Sequence, residues 1–128
     1  MKGQGRIIIA PDLNVWPHEM ETAKALARSG MTVEFIRRSE EYRTTSADVI
    51  IDGESWEIKA PTSNKVSAID KNIRKALHQS KFVIFDSHRM KQLPDSVIER
   101  ELRKSARVLR SMRRLLFVDR HRSVIDIK

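Results

Sequence analysis

Cysteine is absent from the 128-residue chain, which excludes disulfide bonds and a zinc site built on thiolates. No apolar run approaches the ~20 residues that a helix needs to span a bilayer. The first residues have neither the apolar segment nor the cleavage site of a secretory signal peptide, so we expect no signal peptide in this fragment. Repeats, low-complexity tracts and linkers are also lacking, and the length suits one compact core. The sequence therefore predicts a single domain over residues 1–128.

Acidic residues are in deficit, because 17 Asp and Glu stand against 25 Lys and Arg and give a formal net charge of +8. Ten of the basic residues lie between Arg100 and Lys128. Such an arginine stripe repels itself without an anionic partner, although a solvated helix face explains part of the pattern. Guanidinium groups suit phosphate geometry, whereas the lack of Trp and Phe on the helix with the stripe disfavours a membrane surface. The balance predicts a nucleic acid as the partner and no membrane insertion.

The hydrophobic pattern predicts three helices and a set of short strands. Helices are expected from Pro17 to Ser29 with Gly30 ending the helix, over residues 66–80, and from Asp95 to Met112. Strands are expected at 32–36, in a hairpin over 47–60, at 82–85, at 115–118 and at 124–127, and residues 6–9 form a strand or an extended arm. The residues expected to touch nucleic acid are Lys71, Lys75, His78, Arg103, Arg107, Arg110 and Arg114.

The hairpin carries two acids and a lysine between apolar residues. Side chains alternate along a strand, and a two-residue turn that includes Gly53 allows two registers, both of which put Asp48, Glu57 and Lys59 on one face. Neighbouring side chains on that face lie about 5–8 Å apart, close enough for two carboxylates to share a divalent cation. A three-residue loop would break this arrangement. A solvent-exposed face with a cross-strand pair of Asp48 and Lys59 explains the same pattern, and Asp52 is expected to serve only the turn.

The first helix adds a further acid. At about 100° per residue, one arc of about 120° holds Trp16, Glu19, Met20, Ala23, Leu26 and Ala27, and Glu21 lies opposite. Glu19 is therefore the acid expected to face the sheet. An acid on this arc needs a reason, which a metal ion or a catalytic lysine supplies. The alternative is that the helix macrodipole favours Glu19 in the first turn.

The element order of helix, three strands, helix and strand, with Asp48 before Glu57-Ile58-Lys59, resembles the PD-(D/E)XK nuclease superfamily. Two segments, Pro17-His18-Glu19-Met20-Glu21-Thr22-Ala23 and Trp56-Glu57-Ile58-Lys59-Ala60-Pro61, further resemble the C-terminal tRNA-nuclease toxin domains of contact-dependent growth inhibition proteins. The resemblance covers about residues 17–87, and no proline precedes Asp48, a frequent departure in the superfamily. It implies an α/β (α+β) fold with an αβββαβ core, in which helices flank a mixed central sheet. Residues 88–128 would add a basic helix and a β-hairpin that set specificity.

The resemblance also implies an active site. Its catalytic residues would be Glu19, Asp48, Glu57 and Lys59, and Mg²⁺ or Mn²⁺ would be held by Asp48, Glu57 and the main-chain carbonyl of Ile58. Glu19 would act directly or through water, and Lys59 would orient or deprotonate the attacking water or stabilise charge on the phosphate. The possible accessory residues are His18, which borders the site, and Thr62 and Ser63, which would hold a phosphate. Capping of the next helix is the commoner use of these two hydroxyls.

The function implied by the resemblance is that of a tRNA-cleaving toxin domain. Such a domain is part of a larger delivered protein, acts in the cytoplasm of the target bacterium and is blocked by a cognate immunity protein. A DNA endonuclease of restriction or junction-resolving type is an alternative, although tRNA is favoured over DNA. A non-catalytic nucleic-acid-binding module that uses only the arginine stripe is a second alternative. Metal-independent cleavage of RNA through its 2′-hydroxyl is a third.

Overall fold

The computed structural model describes residues 3–11, 13–36 and 49–128. The strands within these ranges are β1 (Ile7–Ile9), β2 (Val33–Phe35), β3 (Val49–Ile51), β4 (Glu54–Lys59), β5 (Phe82–Asp86), β6 (Arg114–Val118) and β7 (Val124–Asp126). The helices are α1 (Pro17–Arg28), α2 (Ser67–Ala76) and α3 (Asp95–Val108). Strand β1 precedes α1. From α1 onwards the chain forms a helix, three strands, a helix and a strand, so the predicted order is confirmed.

The seven strands form one mixed sheet in the order β1-β2-β3-β4-β5-β6-β7. The pairs β1–β2, β4–β5 and β5–β6 are parallel, and the pairs β2–β3, β3–β4 and β6–β7 are antiparallel. All strands except β3 and β7 therefore run in one direction. The α/β fold class with a mixed sheet and flanking helices is confirmed, and residues 6–9 contain a strand because Ile7 pairs with Val33 of β2.

Helices cover both faces of the sheet, and alternation along the strands assigns each helix to a face. Leu26 of α1 shares an apolar cluster with Ile58 and Ile84. The alternate residues Val83 and Phe85 belong to a second cluster, with apolar side chains of α2 and α3. Helix α1 therefore packs on one face, which we call the α1 face. Helices α2 and α3 pack on the opposite face, the α2/α3 face.

Helix α1 ends where its sequence predicts. Gly30 has a φ of 104°, a left-handed conformation that suits glycine. Its N–H donates to the carbonyl of Ala27 (3.0 Å), and the N–H of Met31 donates to the carbonyl of Leu26 (3.1 Å). This pair of hydrogen bonds is the Schellman motif, which satisfies carbonyls at the helix end.

Helices α2 and α3 end earlier than the apolar periodicity predicts. Helix α2 ends at Ala76 rather than at residue 80, and α3 ends at Val108 rather than at Met112. Leu109 already has a non-helical backbone, with φ −92° and ψ 85°. Leu109 and Met112 nevertheless pack into the second apolar cluster. A turn, and not the helix that the spacing predicts, therefore brings these side chains to the core.

The C-terminal part of the chain completes the sheet instead of standing beside it. Strand β6 pairs with β5 over five residues, from Phe82 with Arg114 to Asp86 with Val118. Strand β7 then pairs with β6 and forms the edge. The residues predicted as a basic extension, 88–128, thus supply α3 and two strands of the same sheet.

Candidate functional site

The predicted hairpin turn is present. Ile51 pairs with Glu54 and Val49 with Trp56, so Asp52 and Gly53 form a two-residue turn between β3 and β4. Both have positive φ, 52° for Asp52 and 80° for Gly53. A type I′ turn requires this at both central residues, and Asp-Gly is among the sequences that adopt it most readily. The condition on which the predicted face of Glu57 and Lys59 depended is therefore met.

Glu57 is a buried acid in the middle of the sheet. It lies in β4 and is 6% exposed, between Trp56 and Ile58, which pack on the α1 face. Its pairing with Val83 in β5 puts its carboxylate on the α2/α3 face. Lys59 pairs with Phe85, is half-buried and projects from the same face at the end of β4. Burying an acid inside a sheet is costly unless its charge is compensated, and Glu57 is not without an interaction partner.

Asp48, the other acid predicted for this face, lies outside the described residues. No three His, Asp or Glu side chains in residues 3–11, 13–36 and 49–128 approach closely enough to hold a metal ion. The predicted ligand set includes Asp48, so this finding does not test the set. The donor chemistry that is described, the Glu57 carboxylate beside the main-chain carbonyl of Ile58, consists of the oxygen ligands that Mg²⁺ and Mn²⁺ prefer.

Helix α1 carries one buried and one exposed acid, as its periodicity predicts. Glu19 is 8% exposed, whereas the Glu21 side chain is 50% exposed and pairs with Lys24 at 3.4 Å. Glu19 lies in the first turn of α1, where the helix macrodipole favours an acid. It also has an interaction partner within the protein. The helical arc therefore assigned the two acids correctly.

Two contacts fix the first half of α1 at the end of the sheet where β5 and β6 finish. The Thr22 hydroxyl donates to Oδ2 of Asp86, the last residue of β5, at 2.5 Å. Arg122, in the turn after β6, donates through Nη2 to the carbonyl of Glu21 at 3.1 Å. Because β4 runs parallel to β5, Lys59 lies at this same end of the sheet. Ligands of open α/β sheets commonly bind at the carboxyl ends of the parallel strands.

The predicted catalytic residues therefore belong to opposite sides of the sheet. Glu57 and Lys59 belong to the α2/α3 face, and Glu19 belongs to the helix on the α1 face. The structure brings Lys59, Asp86 and the first half of α1 to one end of the sheet. It does not place Glu19 and Glu57 on a common face, so side chains of the two groups can converge only beyond the strand ends.

Comparison with known proteins identifies the family to which the chain belongs. The model of the contact-dependent growth inhibition CdiA C-terminal domain matches residues 45–124, more than half of the chain. The chain belongs to this family. The matched residues include Glu57 and Lys59 but not Glu19.

A solved structure, the CdiA-CT/CdiI toxin and immunity complex from Burkholderia pseudomallei, contains a chain of similar fold. The TM-score is 0.72 with 17% sequence identity, over 97% of this chain and 99% of that chain. At this identity the likeness concerns the fold. No curated protein matches the chain. Within the described part of this CdiA C-terminal domain, no helix is long and apolar enough to cross a membrane.

The three predicted accessory residues differ in their exposure and in their local contacts. His18 is half-buried in the first turn of α1, and its ring stacks on that of Trp16 with 6.4 Å between centroids. Thr62 is exposed. The Ser63 hydroxyl accepts a hydrogen bond from the N–H of Lys65 at 3.1 Å, so it serves the turn before α2. Helix α2 begins without a side-chain cap hydrogen bond, so Ser63 does not cap it and the predicted alternative role of this hydroxyl is not the one seen.

The predicted nucleic-acid-binding residues belong to three parts of the chain, which are α2 with the turn after it, α3 with the turn after it, and β6. Lys71, Lys75 and His78 are exposed on and just after α2. Arg103 and Arg107 line a groove of about 360 Å³ on α3 together with Ser96, Glu99 and Arg100. Arg110 is exposed in the turn after α3. Arg103 is partly neutralised there, because it forms an ion pair with Glu99 at 2.9 Å.

Arg114 does not continue the stripe on α3. It lies in β6, where its guanidinium donates to the carbonyl of Lys128 (3.0 Å) and to the Asp126 carboxylate (3.2 Å). The same group lies 5.6 Å from the centroid of the Trp56 ring, in a cation–π arrangement. Trp56 itself is 4% exposed and packs on the α1 face.

Sequence reasoning missed a buried ion pair at the end of the sheet. The Asp86 carboxylate is 2% exposed and accepts from both terminal nitrogens of Arg122, each at 2.9 Å. It also accepts from the main-chain N–H of His88 at 2.8 Å, in addition to the Thr22 hydroxyl. The hydrogen bonds to Asp86 raise the pKa of the Arg122 guanidinium above its ordinary value, and burial works in the opposite direction. The acid at the end of the apolar run 82–85 was a visible signal, but nothing in the sequence links it to Arg122.

Proposed function

We propose that the chain is a metal-dependent endonuclease that cleaves tRNA as the toxin domain of a contact-dependent growth inhibition system. The observation that carries the proposal is the buried Glu57 carboxylate with Lys59 two residues later on the same face of β4. An acid and a lysine in this order, at the carboxyl end of parallel strands, match the catalytic strand that the nuclease resemblance requires. Membership of the CdiA C-terminal domain family supports the same assignment.

The charge of the chain supports a metal in the site. A protein of net charge +8 attracts phosphate, but buried acids at the reacting position repel it unless a cation intervenes. In the proposal, Asp48, Glu57 and the carbonyl of Ile58 hold Mg²⁺ or Mn²⁺, and Glu19 assists directly or through water. When bound, the ion lowers the pKa of water and neutralises charge on the scissile phosphate.

The remaining chemistry belongs to side chains. Lys59 orients or deprotonates the attacking water, or donates to the phosphate oxygens that gain charge in the transition state. Packing limits the motion of this side chain, because Lys59 is half-buried at the end of a paired strand. Such a group is held near its working position before the substrate binds. Electrostatic catalysis is most effective with groups that are positioned in advance in this way.

The charge of the chain and the comparisons support the proposed substrate and partners. The groove on α3 lined by Arg100, Arg103 and Arg107 offers guanidinium groups to a phosphate backbone. The resemblance to tRNA-nuclease toxins favours tRNA over DNA. The structural neighbour is a toxin and immunity complex, so we propose that a cognate immunity protein binds this chain as well. Delivery as part of a larger protein would bring the domain to the cytoplasm of the target bacterium.

The test is a cleavage assay on total tRNA and on plasmid DNA, with Mg²⁺, with Mn²⁺ or with EDTA. We expect discrete tRNA fragments that require the metal. Glu57→Gln and Lys59→Ala should each reduce the rate by at least about 10²-fold, the usual effect of removing one group that stabilises the transition state. Glu54→Gln and Lys81→Ala are matched controls, because Glu54 begins the same strand and both side chains are exposed. Both controls should cleave like the parent.

Three outcomes would contradict the proposal. Cleavage of the plasmid but not of tRNA would favour the DNA endonuclease. Fragments that persist in EDTA would show metal-independent cleavage of RNA. Tight RNA binding with no cleavage under any condition, and no effect of Glu57→Gln on binding, would identify a non-catalytic nucleic-acid-binding module.

A further inference from the structure

Trp16 is the most exposed large hydrophobic side chain in the described part of the chain, with 64% of its surface accessible. The helical arc predicted that it faces the sheet, and this prediction is wrong. Trp16 precedes α1 as its N-cap residue and has an extended backbone, with φ −63° and ψ 142°. The angular spacing of a helix therefore does not apply to it. Pro17 follows at the first helical position and fixes this change of direction.

The indole is not loose on the surface, because His18 supports it. The two rings are inclined by only 24° with centroids 6.4 Å apart, an offset stacked arrangement. His18 is half-buried and belongs to α1, so one side of the indole is held by the helix. The remaining surface is flat, apolar and open to solvent. A tryptophan typically buries about 150–250 Å² when it is covered, and burial of this apolar surface favours binding of a flat solute.

Cations lie at the same end of the molecule. The helix that Trp16 begins is fixed at this end by Thr22 and Asp86. Lys59 ends β4 at this end but on the opposite, α2/α3 face, and Arg89 donates to the carbonyl of the next residue, Ala60, at 3.2 Å. A ligand that contacts both Trp16 and these cations therefore has to be an extended polymer with aromatic rings and an anionic backbone that passes round the end of the sheet. An unpaired nucleotide has this composition, whereas an acidic peptide lacks the planar base.

We propose that Trp16, supported by His18, is a stacking site for an unpaired nucleobase of the RNA that the domain binds. The site would recognise the face of the base and not its hydrogen-bonding edge, so it favours single-stranded or looped RNA over a duplex. The inference rests on the proposed function for the identity of the polymer. It concerns binding and not cleavage, so the two can fail separately.

The experiment measures binding in the Glu57→Gln background, where the proposed chemistry is disabled. Tryptophan emission is followed while a short single-stranded RNA, the corresponding RNA duplex or inorganic tripolyphosphate is added. Trp16 is exposed and Trp56 is 4% exposed, so stacking should quench the emission of Trp16. We expect quenching by single-stranded RNA, weaker quenching by the duplex and none by tripolyphosphate, which carries charge without a base.

Variants at residue 16 then test the affinity with a labelled single-stranded RNA. Trp16→Ala should weaken binding about 5- to 150-fold, the usual effect of removing one stacked base contact. Trp16→Phe should retain most of the affinity while abolishing the quenching. Both variants should melt within about 2 °C of the parent, because a largely exposed side chain adds little to the core.

The inference is overturned if Trp16→Ala binds single-stranded RNA within twofold of its parent, or if tripolyphosphate quenches the emission as RNA does. It is also overturned if the emission responds only to the proposed cognate immunity protein, since Trp16 would then belong to a protein interface. Cleavage by the chain with intact Glu57 separates the two proposals. If tRNA is cut but Trp16→Ala binds normally, the stacking site fails and the nuclease stands.

Discussion

Loss of the Arg122 guanidinium should destabilise the domain strongly, and Arg122→Met is the variant of choice. Methionine keeps an apolar stem but removes both hydrogen bonds to Asp86 and the one to the carbonyl of Glu21. Arg122 has a φ of 66°, and methionine, like arginine, is unbranched at Cβ, so the two side chains have a similar backbone cost there. The variant therefore reports the loss of the ion pair and not a change in backbone strain.

The expected magnitude follows from burial. Removing one partner of a buried ion pair costs about 3–5 kcal/mol, because the other charge is left uncompensated. Asp86 is 2% exposed, but Arg122 is 18% exposed, and the Thr22 hydroxyl and the His88 N–H still donate to the carboxylate. We therefore expect a loss of about 2–4 kcal/mol in the free energy of unfolding. For a domain of this size, the loss corresponds to a fall of about 7–15 °C in the melting temperature.

The assay is chemical denaturation together with calorimetry, near neutral pH. Arg122→Lys keeps the charge without the two-pronged geometry and should fall between the parent and Arg122→Met. Arg103→Met is the control, because it removes an exposed ion pair with Glu99 and should cost no more than about 0.5 kcal/mol. A double variant with Asp86→Asn should recover part of the loss, which measures the coupling directly.

The reasoning would be refuted by an Arg122→Met protein whose free energy of unfolding lies within about 0.5 kcal/mol of the parent, the range typical of surface substitutions.

The raised pKa of Arg122 predicts that the stability contributed by this ion pair does not depend on pH through titration of the guanidinium in the ordinary range. A cation with a raised pKa contributes its stability below its unfolded pKa and loses it only as the pH rises through the folded value. For a guanidinium both values lie far above neutrality.

Two further predictions concern other surfaces. Hydrogen bonds from Arg74 (2.6 Å) and from Ser105 (2.8 Å) lower the pKa of Asp70, although burial opposes them. The contribution of the Asp70 carboxylate to stability should therefore be complete above about pH 4 and disappear as the pH falls through the folded pKa. Because Asp70 is 45% exposed, Asp70→Asn should flatten the acid limb of an unfolding titration by less than about 1 kcal/mol, and an unchanged limb would contradict this role. On α3, Arg107→Ala should reduce the slope of log affinity for RNA against log salt concentration by about 0.7–0.9, the value for one phosphate contact. Arg114→Ala should change it less because Asp126 already pairs with that guanidinium, and equal slopes for both variants would refute the difference.

The strand that carries Glu57 and Lys59 was predictable from sequence because local chemistry specifies it. An Asp-Gly pair between apolar runs favours a two-residue turn, and both registers that such a turn allows put Glu57 and Lys59 on one face. Alternation along β4 then separates Glu57 and Lys59 from Trp56 and Ile58 without any knowledge of the rest of the fold. The same holds for Glu19 and Glu21, since the geometry of one helix decides which acid is buried.

Element ends and helix flanks were less predictable because burial does not require helical hydrogen bonding. Leu109 and Met112 continue the apolar spacing of α3 but reach the core from a turn. Trp16 shows the converse, since it matches the arc of α1 in number but lies before the helix and faces solvent. In both cases the periodicity was extended one turn beyond the backbone that justifies it.

The sequence by itself determined the order of elements, the face that Glu57 and Lys59 share across a two-residue turn, which acid of α1 faces the sheet, and the cationic character of the chain. Each of these depends on residues close together in the chain or on composition alone. Only the tertiary structure decided that Glu57 and Glu19 belong to opposite faces of the sheet and that Asp86 pairs with Arg122, 36 residues away. The physical reason is that local backbone geometry sets which way a side chain points, whereas the packing of α1 and the order of the strands set what it meets.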